Sequence, residues 1–387
     1  MKDGNVKKLI AKEKKRQEDS INLIASENIV SKDVLEALGS VFTNKYAEGY
    51  PRKRYYGGNA IIDELEELAI SRALNLFHLS PETWNVNVQP YSGSPANLAV
   101  LHALIPLGKK VMAMDLAMGG HLSHGSRVSV TGTLWKQVPY GVDKKTGRVD
   151  YNNLFKIAKK ERPSVIIAGG SSYARIIDFK KFRKVADSVG AILIVDMSHV
   201  SGLVAGGVYP TPFPYADVVM TTTHKTLRGP RGAIVFSKKE LSEKINKVVF
   251  PGIQGGPHEN QIAAIAVALF EASKPSFKLY ARRVVKNAKV LSEELKKLGW
   301  EIVSGGTDTH LFLLDTYARG ISGKKAADAL EKKGIVVNKN LIPYDTRSPL
   351  DPSGIRIGTA AVTTKGMREK DMKRIAKNID LVLKELS

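Results

Sequence analysis

The stretch 191–233, AILIVDMSHVSGLVAGGVYPTPFPYADVVMTTTHKTLRGPRGA, constrains the fold more than any other part of the chain. Two short apolar runs in it each end in a group that can do chemistry. Ile192 to Val195 leads to Asp196, and Val218 to Met220 leads through three threonines to His224 and Lys225. Runs this short, bounded by polar and Gly-rich segments, read as buried parallel strands rather than helices. In open α/β sheets, ligands sit beyond the carboxyl ends of such strands.

Taken singly, Asp196 reads as a cap of the following segment and Lys225 as a solvated loop lysine. Taken together, with His199 three residues after the aspartate and His224 beside the lysine, they supply what a pyridoxal phosphate site needs. The lysine carries such a cofactor as a Schiff base. The carboxylate keeps the pyridinium nitrogen protonated, so that the ring can accept carbanion electrons.

A chain of 387 residues exceeds one typical domain, so a large domain and a smaller one are expected. Periodicity predicts a helix over 60–77 and strands over 86–89, 111–115 and 165–168. With the two runs above, this gives one doubly wound, mostly parallel α/β sheet between about 60 and 270. SKPS, residues 273–276, is the expected boundary. Beyond it, short strands (300–303, 310–314, 335–337, 354–357) alternate with helices (279–298, 324–333) as an α+β domain. The chain thus divides into an arm (1–45), a large cofactor-binding domain (46–272) and a small C-terminal domain (273–387).

In the arm, 5–20 reads as an amphipathic helix, and Ser31 caps a second helix through Val34, Leu35 and Leu38. Because it precedes any sheet-forming strand, the arm is expected to pack on a partner subunit rather than start the core. The period-free stretch 43–59, dense in Tyr, Gly and charge, reads as a structureless functional loop. Ser94 before Pro95 reads as a helix cap, which places Ser92, Gly93 and Ser94 where free backbone N–H groups attract a phosphate. Gly252, Gly255 and Gly256 form a second loop able to approach a phosphate closely. Arg356, on a strand among small residues, suits bidentate capture of a carboxylate. His121 and His124 lack the carboxylate partners of a metal site; a histidine between glycines near a strand end can instead lie flat on an aromatic ring.

Zero cysteines exclude a disulfide framework and thiolate metal ligands. No apolar run suits a signal peptide or a bilayer span, so a soluble, cytoplasmic protein without membrane contact is expected. The net charge of +21 favours polyanions in general, but it is spread along the chain without a nucleic-acid-binding signature and reads as a solvated face. Walker, G-x-G-x-x-G and G-x-S-x-G motifs are absent from the sequence.

LIASEN (23–28), NKYAEGYP (44–51), RYYGG (54–58), GGHLSHG (119–125), VDMSHVSGL (195–203), TTTHKTLRGPRG (221–232), FPGIQGG (250–256), SGGTDTHL (304–311), VNKN (337–340) and SGIRIGT (353–359) together resemble serine hydroxymethyltransferases, in the family's order along nearly the whole chain. The resemblance implies a fold-type-I pyridoxal phosphate transferase that interconverts serine and glycine with tetrahydrofolate as one-carbon carrier, working as a homodimer with shared sites. Lys225 then corresponds to the Schiff-base lysine and Asp196 to the pyridinium partner. His121 corresponds to the ring-stacking histidine, and Ser171 and His199 to groups near the phenolic oxygen. Ser92, Gly93, Ser94 and His224 match phosphate-side positions, while Tyr46 and Gly256 match groups from the neighbouring subunit. Arg356 matches the substrate-carboxylate anchor with Ser26 and Tyr56 close by, and Glu48 the acid–base carboxylate. Tyr55, Leu116, Gly120, Leu122 and Asn340 match the folate pocket. Tyr91, Pro95, Met118 and Leu350 depart from the family's pattern, the last two beside the folate region.

Two other readings compete. A folate-independent aldolase of the same fold would cleave threonine-like β-hydroxy amino acids, and tetrahydrofolate dependence separates it from the first. A basic RNA-binding protein on a retired enzyme scaffold would rest on the +21 charge alone, and intact Lys225, Asp196, Arg356 and Glu48 argue against it.

Overall fold

The computed structural model describes residues 2–386. Seven strands form the large sheet: β1 (Trp84–Asn87), β2 (Lys110–Met114), β3 (Lys136–Tyr140), β4 (Val165–Ala168), β5 (Ile192–Asp196), β6 (Val218–Thr222) and β7 (Ala233–Lys238). Their order is β1-β7-β6-β5-β4-β2-β3, with β2 to β6 parallel and β7 antiparallel to both neighbours. The fold is therefore α/β with a mostly parallel doubly wound sheet.

Side chains along the central strands alternate between two separate cores. Met112, Ile166, Leu193, Val195 and Val219 enter one. Val111, Val165, Ile167, Ile194 and Val218 enter the other. Burial on both faces at a period of two is why these segments read as unbroken apolar runs. Strands β3 and β7 escaped the sequence reading. The first is an edge strand interrupted by Pro139, and the second, AIVFSK, follows directly on the GPRG segment 229–232.

A four-stranded antiparallel sheet forms a second unit: β8 (Glu301–Ile302), β9 (Leu311–Asp315), β10 (Asn338–Asn340) and β11 (Gly354–Gly358), ordered β8-β9-β11-β10. The helix Pro275–Lys297 joins the units. Its Phe277, Tyr280 and Val284 lie in the large-sheet core, and its Leu291 and Leu295 in the small one.

The expectation for the arm needs correcting. Ile21–Asn22 pairs in parallel with Ile335–Val336, and Leu23 and Ala25 are buried in the small unit's core. Ser31 does cap the helix Lys32–Leu38, but Val34 of that helix packs on Ala264 and Ala268 of the same chain. The helix Gly4–Asp19 buries none of its residues. The stretch 43–59 is not structureless either: Gly49–Tyr50 and Lys53–Arg54 form a hairpin. The helix expected to start behind Ser94 runs Gly93–Leu104, with the extended Ser92 as N-cap. Pro95 fits in its first turn because the N–H that proline lacks has no intrahelical partner there.

Arg54 fixes the hairpin. Its guanidinium donates to Asp63 (2.8 Å), Glu66 (2.7 Å) and the carbonyls of Ala47 and Gly49. Glu66 also accepts from Gln89 and faces Glu259, both carboxyls being fully buried. Two fully buried carboxylates cannot both ionise beside one guanidinium. Burial and the negative Glu66 push the Glu259 carboxyl up to about 9. The native state then holds one more proton than the unfolded chain between the ordinary glutamate value of 4.5 and about 9, so stability falls as pH rises through that window. Glu259→Gln keeps a donor toward Glu66 and should flatten the decline. At pH 8.5 it should gain on the order of 1–3 kcal/mol over the native protein, read from urea midpoints at pH 5 and 8.5. Parallel profiles for the two proteins would remove the shared proton.

Candidate active site

The carboxyl ends of β4, β5 and β6 open into a cavity of about 220 Å³. Its lining includes Ser26, Ser92, Gly93, Ser94, His121, Ser171, Asp196, His199, His224 and Lys225, so residues far apart in sequence meet at one place. Strand order sets this up. The chain steps from β2 out to β3 and back to β4 on the other side of β2, and such a switch leaves a crevice at the strand ends.

Asp196 is the last residue of β5. Its Oδ2 accepts from His124 Nε2 (2.9 Å) and Asn97 Nδ2 (3.1 Å), and its Oδ1 from the Ser198 amide (3.0 Å). Burial alone would raise this carboxyl, but the His124 hydrogen bond and the nearby imidazoles hold it well below the usual carboxylate range. Asp196 is thus a fixed, buried negative charge. Of the two groups that hold it, the sequence raises His124 only as a metal ligand and Asn97 not at all; a second histidine three residues after His121 gives no sign that it orients an aspartate.

Lys225 Nζ donates to Thr222 Oγ1 at 2.8 Å. Burial, helped by the positive Arg356 and Arg231 and opposed by Asp196, lowers this amine to about 8. A buried lysine near neutrality in its titration is a nucleophile for carbonyl carbon. His121 lies across the cavity, its Nδ1 2.8 Å from Ser123 Oγ, and burial lowers it to about 4, so it is a neutral ring.

The residues present fit pyridoxal phosphate. His224 Nδ1 is buried without a partner, its ring held neutral by burial beside Lys225 and Arg231. It lines the cavity together with Arg231 and the start of the helix Gly93–Leu104, where Ser92 makes no side-chain cap bond. These groups form a cationic, donor-rich end suited to a phosphate. The carboxylate of Asp196 lines the same cavity and suits a pyridinium, with an amine available to a carbonyl.

Arg356 is buried on β11. Its Nε donates to Asn338 Oδ1 (3.0 Å), Nη1 to the Ser171 carbonyl (2.7 Å) and Nη2 to Ser26 Oγ (3.4 Å). Among the described residues no carboxylate pairs with it, and burial lowers it to about 10. A buried guanidinium with neutral partners is primed for an incoming anion. Ser171 also donates to the Gly120 carbonyl (2.6 Å), and Asn340 accepts from Ser172 (3.2 Å). Leu116 borders a separate cleft with Asp115 and Arg127, and Leu122 is exposed.

The remaining residues stand apart from the cavity lining. Tyr46, Tyr55 and Tyr56 pack edge-on at centroid distances of 5.2 and 5.3 Å, and all three are exposed, Tyr55 by 82%. Tyr46 donates to Glu48 Oε1 (3.1 Å) and covers Gly256, where an added Cβ would come within 3.1 Å of its ring. Tyr91, one of the departures noted above, stacks on His258 at 4.3 Å and donates to the Gly256 carbonyl. Tyr56 therefore sits with this exposed cluster rather than in the cavity with Ser26.

A family model described as serine hydroxymethyltransferase matches residues 1–379. A serine hydroxymethyltransferase of Acidothermus cellulolyticus is 54% identical over 98% of this chain and 88% of its own length. One of Koribacter versatilis is 53% identical over 96% of this chain and 87% of its own. With matches of this extent running through every element that builds the cavity, the chain belongs to the serine hydroxymethyltransferase family.

Proposed function

We propose that the protein interconverts serine and glycine, with pyridoxal phosphate held at Lys225 and tetrahydrofolate as the one-carbon co-substrate. The observation that carries this reading is Arg356, a buried cation without an acidic partner beside the cavity that Lys225 and Asp196 line. It suits the carboxylate of an α-amino acid, and Ser26 adds a hydroxyl to that end. When bound, pyridoxal phosphate supplies an electron sink for the substrate carbon that loses its hydroxymethyl group. Arg356 orients the carboxylate and thereby selects the bond at Cα that is broken. With the cofactor bound, Asp196 would hold a proton at the ring nitrogen, His121 would cover the ring face, and Ser171 and His199 would serve its phenolic oxygen. Ser92, Gly93, Ser94 and His224 hold the phosphate. Tyr55, Leu116, Gly120, Leu122 and Asn340 serve the pterin. Residues 46–272 act as the cofactor domain and 273–387, with the arm segment 21–25 packed into its core, as the small one, joined by a helix that enters both cores.

The exposed Tyr46, Tyr55 and Tyr56, with the half-buried Glu48 and Gly256 beside them, support a homodimer in which each chain completes its neighbour's site. Mixing Tyr46→Ala with Lys225→Gln subunits tests this. A hybrid holds one site free of both changes, so activity should return to about a quarter of the native value at equal mixing. A mixture no more active than its parents would place Tyr46 in its own chain's site. No helix among the described residues is long and apolar enough to cross a membrane. A cytoplasmic location without specific nucleic-acid binding fits the dispersed basic charge.

A further inference from the structure

His199 lines the cavity, yet the hydrogen bond that orients it comes from the other unit. Its Nδ1 lies 3.2 Å from Nε2 of His310, which precedes β9. The two rings are nearly parallel, with centroids 5.4 Å apart, and both side chains are buried. The same His310 Nε2 lies 3.2 Å from the carbonyl oxygen of Ala25, while His310 Nδ1 is buried without any partner.

These contacts fix the protons. A carbonyl oxygen can only accept, so His310 must carry its hydrogen on Nε2. With that hydrogen shared between Ala25 and His199, His199 Nδ1 must accept, and its own proton resides on Nε2. The opposite tautomer would set two lone pairs against each other at Ala25 and strand an N–H on His310 Nδ1, which has no partner among the described residues. A doubly protonated His310 would strand the same N–H beside the positive Arg356 and Lys225, and burial lowers this ring to about 3.

We propose that His310 is a positioning residue that locks His199 in its Nε2–H tautomer, making it a fixed hydrogen-bond donor to the oxygen of the cofactor bound in the cavity. The inference rests on the cofactor reading above and adds the group that sets the donor. A frame holds His310 in place. The Thr359 amide donates to the His310 carbonyl (2.9 Å) and the Gly358 amide to the Leu23 carbonyl (2.8 Å). Gly358 has no room for a side chain, since a Cβ there would lie 2.4 Å from Ala25 Cα. Ala25 is followed by Ser26, which Arg356 contacts from the same strand β11. The hydrogen that orients His199 is thus set by the elements that hold the carboxylate anchor. Such orientation of one imidazole by a second group is how buried histidines keep one tautomer.

Ring-nitrogen NMR of 15N-histidine-labelled protein without cofactor reads the tautomer directly and does not depend on any activity. His199 should show a protonated Nε2 in the native protein and in His310→Gln, whose amide can donate from the same position. His310→Phe keeps the ring volume but removes the donor, and should give a mixed or inverted His199 tautomer. In cofactor-loaded protein, the absorbance titration of bound pyridoxal phosphate should move up by about one pH unit in His310→Phe, because a hydrogen bond to its phenolic oxygen is weakened. It should return close to native in His310→Gln. A native His199 protonated at Nδ1 would overturn the proposal even if His310→Phe failed to fold, and so would an unchanged tautomer in that variant. Failure of the serine reaction with the tautomer intact would count against the enzyme reading alone.

Discussion

Lys225→Gln should abolish sustained serine cleavage, lowering steady-state turnover by on the order of 10³-fold or more, while the protein still takes up pyridoxal phosphate. Uptake should survive because Asp196, His224, Arg231 and the Gly93–Leu104 helix start are untouched and belong to the same cavity. Turnover should not, since the lowered amine at the end of the β6 segment is the only lysine lining that cavity among the described residues. Glutamine can still bond Thr222, so the local fold is preserved. Borohydride should fix the cofactor to the native chain and leave the variant unlabelled, as read by intact mass. Undiminished multiple turnover in the variant would remove Lys225 from the site.

Glu48→Gln should lower tetrahydrofolate-dependent serine cleavage by about 10²–10⁴-fold, the usual scale for one general acid–base group. Serine binding, read from the spectrum of the bound cofactor, should change little, because Arg356 and Ser26 remain. The competing explanation is that Glu48 shapes its loop by pairing with Lys45 or Arg52. Geometry weakens it: Lys45 bonds the carbonyls of Tyr46 and Gly57, and Arg52 pairs with Glu67. Tyr46 is the partner found for Glu48, and a glutamine would keep that contact. A rate loss of only a few-fold would take Glu48 out of the acid–base role and leave Lys225 and Asp196 where they are.

The sheet and the cofactor end of the site were legible because their signals are local. Buried strands with apolar residues on both faces read as unbroken runs, and the reactive group stands at the end of each. The Gly93–Leu104 helix was found with its cap displaced by two residues, since Ser92 and Ser94 are chemically alike and only backbone geometry separates them. The parts that were missed depend on residues distant in sequence. Asn97 and His124 gain meaning only when Asp196 comes between them, and His310 only beside His199 and Ala25. The Arg54, Glu66 and Glu259 cluster spans three elements, each ordinary by composition. The arm was misjudged because a two-residue strand leaves no periodicity to read; its partner, Ile335–Val336, supplies the evidence.

That pairing of Ile21–Asn22 with Ile335–Val336 also has a meaning for how the protein is made. The small unit is assembled from both ends of the chain, so its first strand leaves the ribosome early and its neighbour only after most of the sequence has been translated. At about 5–20 residues per second the early segment waits on the order of tens of seconds. During that time Leu23 and Ala25 have no core to enter, and Ser26 has no Arg356 to meet. A nascent chain stalled before β11 already contains every strand of the large sheet, with Asp196 and Lys225, but not the strand that carries Arg356. The core that receives Leu23 and Ala25 closes only when Ile335–Val336 reaches Ile21–Asn22.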